Sequence, residues 1–181
     1  MKEYICREYM HENEELVFLP SGWLLSNAVG KYNHVNKALS DMDKEMAYGG
    51  IVFNTEGKVL MRSPKNHWGG YVWTFAKGGP DVEDMTPEET ARREVQEETG
   101  YTCIIIASVP REFESDTCRT KYFLMEPTGM VTEHDAETQE VRWVDVAEAF
   151  EMIQLTKSIN GKNRDKSALE SAIRVREALK R

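Results

Sequence analysis

The chain has 181 residues, 40% of them hydrophobic and 30% charged, with a formal net charge of -8 and a pI near 5.1. That length builds one ordinary core with at most a small terminal extension. The acidic balance excludes a broad nucleic-acid-binding face, which works by setting clustered Lys and Arg against phosphates.

No apolar run approaches the roughly 18 to 20 residues of a membrane span, and the opening MKEYICREYMHENEE lacks the apolar centre of a signal peptide. A soluble, cytoplasmic protein with no membrane partner is expected. Cys6, Cys103 and Cys118 are odd in number, widely spaced and form no CxxC pair. Buried or idle free thiols are therefore predicted, rather than a disulfide framework or a zinc site.

In chain order, residues 1–46 stand apart as an N-terminal extension. The turn Pro20-Ser21-Gly22 between two apolar runs predicts a hairpin, and the polar stretch through Lys44 predicts a connecting helix. Such an extension suits contact with a substrate or with a second copy of the chain as a homodimer. A second region, 47–181, begins with short β-type runs at AYGGIVF, KVLMR and YVWTF, bounded by Gly, Pro or Asn, which predict a small antiparallel sheet. Further strands are expected at TCIIIAS, TKYFLM and EVRWV, with helices over 86–99 and from 145 onward. Strands interleaved with helices make an α/β sandwich. The stretch RDKSALESAIRVREALK is an amphipathic helix suited to covering a sheet face.

The segment TPEETARREVQEETG carries the sharpest signal. Thr86 is placed as N-cap, Pro87 as the first helical residue, Glu89 to complete a capping box and Gly100 as the stop. Glu94, Glu97 and Glu98 then fall within a sector of about 100°. Like charges so spaced destabilise a helix, and no Lys lies between Thr86 and Gly100 to relieve them. A bound hard cation such as Mg²⁺ or Mn²⁺ resolves that conflict with oxygen ligands. Arg93, one turn from both Glu89 and Glu97, is suited to orient a carboxylate by ion pairing. Ala91 and Val95 would face the sheet. Ahead of the helix, WTFAKGGPD offers backbone amides and the Lys77 charge to a phosphate.

This strand, Lys-Gly-Gly loop and capped helix resemble the Nudix signature, G-x5-E-x7-R-E-U-x-E-E-x-G-U with U apolar. Gly79 matches the first glycine, Arg93 and Glu94 the RE pair, Val95 the apolar site, Glu97 and Glu98 the EE pair, Gly100 the last glycine and Tyr101 the final apolar position. Met85 stands where the pattern has its first glutamate, with Asp84 beside it as a substitute.

The resemblance implies an α/β/α sandwich with a mixed β-sheet flanked by helices. It also implies water attack on a phosphorus of a diphosphate, assisted by Mg²⁺ or Mn²⁺. Glu94, Glu97 and Glu98 would be metal ligands and catalytic, with a carbonyl from Gly79 or Gly78. A further carboxylate is expected from EHDAETQEVRWV, where Glu137 is preferred and Glu140 second. Around the phosphate loop, Arg62, Lys65, Lys77, Gly78 and Gly79 are the expected substrate contacts, and Trp68 the platform for a base. Trp73 belongs to the core by strand alternation. The run HWGGYVWTFAKGGPD is similar to the dinucleoside polyphosphate subgroup, which ranks first as substrate, with ADP-ribose, nucleoside triphosphates and a catalytically idle nucleotide sensor as alternatives.

Overall fold

The computed structural model describes residues 16–19, 22–25, 44–131 and 133–180. The chain divides into two units, Met1–Lys44 and Glu45–Arg181. In the first, β1 (Leu16–Leu19) pairs antiparallel with β2 (Gly22–Leu25), as the turn at Pro20-Ser21 predicts. The connecting helix expected before Lys44, and Cys6, lie outside the described residues.

The second unit contains β3 (Glu45–Val52), β4 (Val59–Pro64), β5 (Lys77–Gly78), α1 (Pro87–Thr99), β6 (Tyr101–Ser108), β7 (Phe113–Glu114), β8 (Cys118–Val131), β9 (Thr138–Val144), α2 (Val146–Gln154) and α3 (Ile159–Leu179). Its main sheet runs β5-β3-β8-β6, with β7 added on β8. The central β3–β8 pair is parallel and its neighbours are antiparallel, so the sheet is mixed. Among the described residues no helix is long and apolar enough to cross a membrane.

Strand alternation divides the core into two layers. Ile51, Tyr122 and Leu124 face α2 and α3, packing with Ala149, Ile153, Ala168 and Leu169. Val52, Phe123 and Met125 face α1, against Ala91 and Val95. Ala91 and Val95 do face the sheet, fully buried. Helices on both sides of a mixed sheet give the α/β/α sandwich.

Two local expectations change. The first runs do not form one small antiparallel sheet: β3 and β4 touch as strands only at the Phe53–Val59 bridge, after which β4 leaves to pair with β9. Nor is YVWTF a continuous strand. Only Thr74 bridges, to Arg62, while Trp73 and Phe75 anchor in the core. The apolar side chains, rather than a hydrogen-bond ladder, hold that segment in place.

Beneath it lies a buried polar knot. Asp165, fully buried, accepts hydrogen bonds from Arg164 Nε at 2.8 Å, Thr74 Oγ1 at 2.8 Å and Tyr122 OH at 3.4 Å. Arg164 Nη2 also donates to Thr74 Oγ1 at 3.0 Å. Removing one partner of such a pair strands the other charge away from water. Asp165→Asn is therefore expected to lower unfolding free energy by about 3 kcal/mol, measured by urea denaturation. A change below about 0.5 kcal/mol would mean that the knot contributes nothing to stability.

Candidate active site

The signature helix forms as its sequence dictates. Thr86 Oγ1 accepts from the Glu89 amide at 3.2 Å, Pro87 opens the helix, and Gly100 ends it at φ 77°, a left-handed conformation natural to glycine. The capping box is not reciprocal: the Glu89 carboxylate instead accepts from the Met85 amide at 2.8 Å. Met85 itself is 85% exposed.

The three glutamates do not share one environment. Glu98 is buried, salt-bridged to Arg62 Nη1 at 2.5 Å, and it accepts the Lys77 amide at 2.8 Å. Glu94 and Glu97 gather on Arg93, whose Nη1 donates to Glu94 Oε1 at 2.9 Å and to Glu97 Oε2 at 2.8 Å. Arg93 Nη2 reaches the Gly79 carbonyl at 2.9 Å and Asp84 Oδ2 at 2.8 Å. Arg93 thus takes Asp84 and not Glu89 as its further partner. Its guanidinium holds the Asp84 carboxyl down to about 2.

Gly78 lets the Glu94 carboxylate lie close against the loop, where a Cβ would push that side chain aside. Among the described residues no three Asp, Glu, His or Cys side chains converge as a ready metal cage. The donor set nonetheless suits a hard divalent cation. Glu94, Glu97 and the Gly79 carbonyl all turn oxygens toward one cationic group, the Arg93 guanidinium.

Of these groups, Gly78, Gly79 and Glu98, but not Glu94 or Glu97, border a pocket of about 660 Å³. It opens where the hairpin β3–β4 splays apart, between the start of β3 (Glu45–Ala47) and the end of β4 (Arg62, Pro64). Lys65, Trp68, Lys77, Gly78, Gly79, Glu98 and Glu137 also line it. Trp68 is 73% exposed at the rim, on a turn in which Asn66 and His67 both have positive φ. The side chain of Gln139 pins that turn, accepting from the Asn66 amide at 3.2 Å and bonding Ser63 at 3.0 Å.

Arg62 does not present a free fork. Its Nε donates to Thr138 Oγ1 at 2.9 Å and its Nη2 to the Glu137 carbonyl at 3.2 Å, so it braces Glu98 and the loop before β9. That loop is tied to α1 as well, by the Asp135 amide donating to the Glu97 carbonyl at 2.7 Å. Glu137 is exposed and lines the pocket, whereas Glu140 pairs with Arg142 at 2.5 Å and does not.

Sequence reasoning missed one wall of the pocket. Arg164 on α3, with Thr117 and Cys118 at the start of β8, lines it beside Tyr71. Both described cysteines are free thiols, as expected: Cys103 is buried, and the half-buried Cys118 lines the pocket. The available signal was the charged pair Arg164-Asp165 falling, at helical spacing, on the same face as the apolar Ala168, Leu169 and Ala172.

Burial pushes the Glu98 carboxyl up to about 7, against the opposing pull of Arg62 and Lys77. Burial, reinforced by Arg164, brings the Lys77 ammonium down to about 8. Because the Glu98 value lies above its ordinary 4.5, the folded state holds that proton more tightly, and stability falls as pH rises from about 4.5 to about 7. Thermal melting should therefore show a larger loss between about pH 5 and about pH 7.5 in the wild type than in Glu98→Gln. Parallel curves would mean that Arg62 keeps Glu98 ionised throughout.

The model of the NUDIX domain family matches residues 43–166. An 8-oxo-dGTP diphosphatase of Proteus vulgaris is 31% identical over 91 residues, spanning 46% of this chain and 80% of that protein. The fold is similar to that of an ADP-ribose pyrophosphatase from Streptococcus suis, with a TM-score of 0.56 and 16% identity over 73% of this chain and 91% of the other. It is similar also to that of a C. elegans Ap4A hydrolase, with a TM-score of 0.57 and 19% identity over 74% of this chain and 98% of the other. At those identities the two structures speak for the fold alone. The signature on α1, the family match across most of the chain and the sandwich architecture converge: the chain belongs to the Nudix hydrolase superfamily, as a Nudix-type pyrophosphohydrolase.

Proposed function

We propose that the chain hydrolyses a pyrophosphate bond in a nucleoside diphosphate-linked substrate, with a dinucleoside polyphosphate favoured, in the cytoplasm and with Mg²⁺ or Mn²⁺. The observation that carries this reading is one pocket lined by Glu98 of the glutamate helix, by the Lys77-Gly78-Gly79 loop beside Glu94, and by the exposed Glu137. Glu94, Glu97, Glu98 and the Gly79 carbonyl would hold the metal. When bound, a divalent ion neutralises phosphate oxygens and acidifies water.

The chain's own groups do the rest. Arg93 gathers Glu94 and Glu97 on one side of the helix and keeps the Gly79 loop against it. Arg62 fixes the Glu98 carboxylate from behind while anchoring the Glu137 backbone. Glu137 serves as general base, taking the proton of the attacking water. Lys77 and the exposed Lys65 meet phosphate charge, and Trp68 at the rim stacks on a base.

A nucleoside triphosphate is the second reading, favoured by the likeness to an 8-oxo-dGTP diphosphatase. The N-terminal extension is assigned a dimer or substrate contact. The acidic net charge of -8 speaks against an extensive nucleic-acid surface.

Product release from dinucleoside polyphosphates, nucleoside triphosphates, NADH and ADP-ribose, assayed with Mg²⁺ and again with EDTA, tests the assignment. Turnover should need the metal and fall by about a hundredfold or more in Glu97→Gln and Glu98→Gln. Glu137→Gln should lower kcat with little change in KM. Metal-dependent nucleotide binding with no turnover of any substrate would instead make the protein a sensor.

A further inference from the structure

Resting on the reading of Trp68 as the platform for a base, we infer that Gln139 is a positioning residue for base recognition. A β-bulge turns its amide onto the strained turn that carries Trp68, and the amide holds that ring at the pocket rim. The part of the substrate it serves is the nucleoside, not the phosphates.

Strand register puts Gln139 there. β4 and β9 pair residue for residue from Val59–Val144 to Ser63–Glu140, and the next pair is Pro64–Thr138. Gln139 is therefore the extra residue of a bulge, with no partner position on β4. Such an insertion bends the strand and re-aims a side chain, and it recurs beside active sites. Here it carries the Gln139 side chain over the end of β4 to the turn at 65–70.

That turn depends on being held. Among the described residues three non-glycine positions have positive φ, and two of them are consecutive here, Asn66 at 55° and His67 at 52°. Left-handed backbone is unfavourable for a residue with a side chain and persists only where the surroundings over-determine it. No residue of the turn is buried, so core packing does not fix its conformation. Hydrogen bonds must do so.

Backbone bonds secure the two ends. The Lys65 amide donates to the Glu137 carbonyl at 2.8 Å, and beyond Trp68 the Lys157 amide donates to the Gly70 carbonyl at 2.8 Å and the Tyr71 amide to the Trp68 carbonyl at 3.1 Å. The left-handed middle is held by one side chain. Gln139 Oε1 accepts from the Asn66 amide at 3.2 Å, and its Nε2 donates to Ser63 Oγ at 3.0 Å. Because the Asn66 amide only donates, the oxygen must face it. Nε2 is then a donor toward His67 Nε2 as well, 3.2 Å away, and that imidazole nitrogen accepts.

Loss of Gln139 frees the middle of the turn without freeing Glu137, whose carbonyl is held by Arg62 Nη2 at 3.2 Å and by the Lys65 amide. Gln139 accordingly bears on the binding of a base and not on the attack of water.

Calorimetric titration of the intact protein with ATP and with inorganic tripolyphosphate separates base from phosphate, with Ca²⁺ in place of Mg²⁺ to hold turnover down. Gln139→Met, which keeps the reach of the side chain without its amide, should bind ATP about fivefold more weakly and tripolyphosphate as the wild type does. Ser63→Ala, which removes one partner of that amide, should move ATP binding in the same direction by less. Trp68→Ala should weaken ATP binding about tenfold, and Gln139→Met added to it should cost nothing more, because both act through one ring. With Mg²⁺, Gln139→Met should raise KM for the nucleotide hydrolysed and leave kcat within about twofold. Equal weakening of ATP and tripolyphosphate, additive losses in the double variant, or an ATP affinity unmoved in Gln139→Met would each overturn the inference. Absence of turnover in the wild type, with this pattern of affinities intact, would remove the hydrolase reading and leave the role of Gln139 standing.

Discussion

The buried ion pair between Glu98 and Arg62 is the interaction on which the rest of the site depends. Each charge is costly to remove from water, and the cost is recovered only when both are paired and their remaining hydrogen-bonding capacity is met. Here it is met from three directions: α1 supplies Glu98, β4 supplies Arg62, and the Lys77 amide of β5 supplies a further donor. That arrangement fixes how α1 is rotated about its axis. Once Glu98 points inward, Glu94 and Glu97 are held on the half-buried and exposed sides, where Arg93 collects them against the Gly79 carbonyl. Arg62 completes the device by gripping the Glu137 backbone, so the loop before β9 is set by the same residue that sets the helix.

The pocket exists because a hairpin fails to stay closed. β3 and β4 meet at one bridge and then diverge, β3 into the mixed sheet and β4 to β9. The divergence leaves a cleft between the start of β3 and the end of β4, and the segment around Thr74 closes its floor by bridging to Arg62. The polar groups there are satisfied by one another: Thr74, Tyr122 and Arg164 all bond to Asp165. A floor of hydrophobic residues would give a cavity suited to an apolar ligand. This floor is charge-paired and hydrogen-bonded, so the cleft presents polar groups to what enters it.

Family membership and substrate are decided by different parts of the molecule. The fold is similar to that of an ADP-ribose pyrophosphatase and of an Ap4A hydrolase, and a fold does not by itself fix a substrate. What differs from one such protein to another must lie in the surrounding loops and in the last helix. In this chain the parts that border the pocket outside the signature are the positive-φ turn carrying Trp68, the loop carrying Glu137, and α3 with Arg164.

The sequence alone specified the α1 helix, its caps, its apolar face and its three glutamates, because capping and periodicity are local properties of about a dozen residues. It determined the strands at β6, β8 and β9 for the same reason, and the long spaced signature made the family legible. Long-range packing settled that YVWTF is held by buried side chains rather than by strand pairing, that β4 joins β9, and that Arg62 braces Glu98 instead of standing free. It alone brought Arg164 beside Lys77 and Tyr71, residues more than eighty positions apart in the chain. Those outcomes depend on which distant groups can satisfy a buried charge or an unpaired strand edge, and no local pattern encodes that.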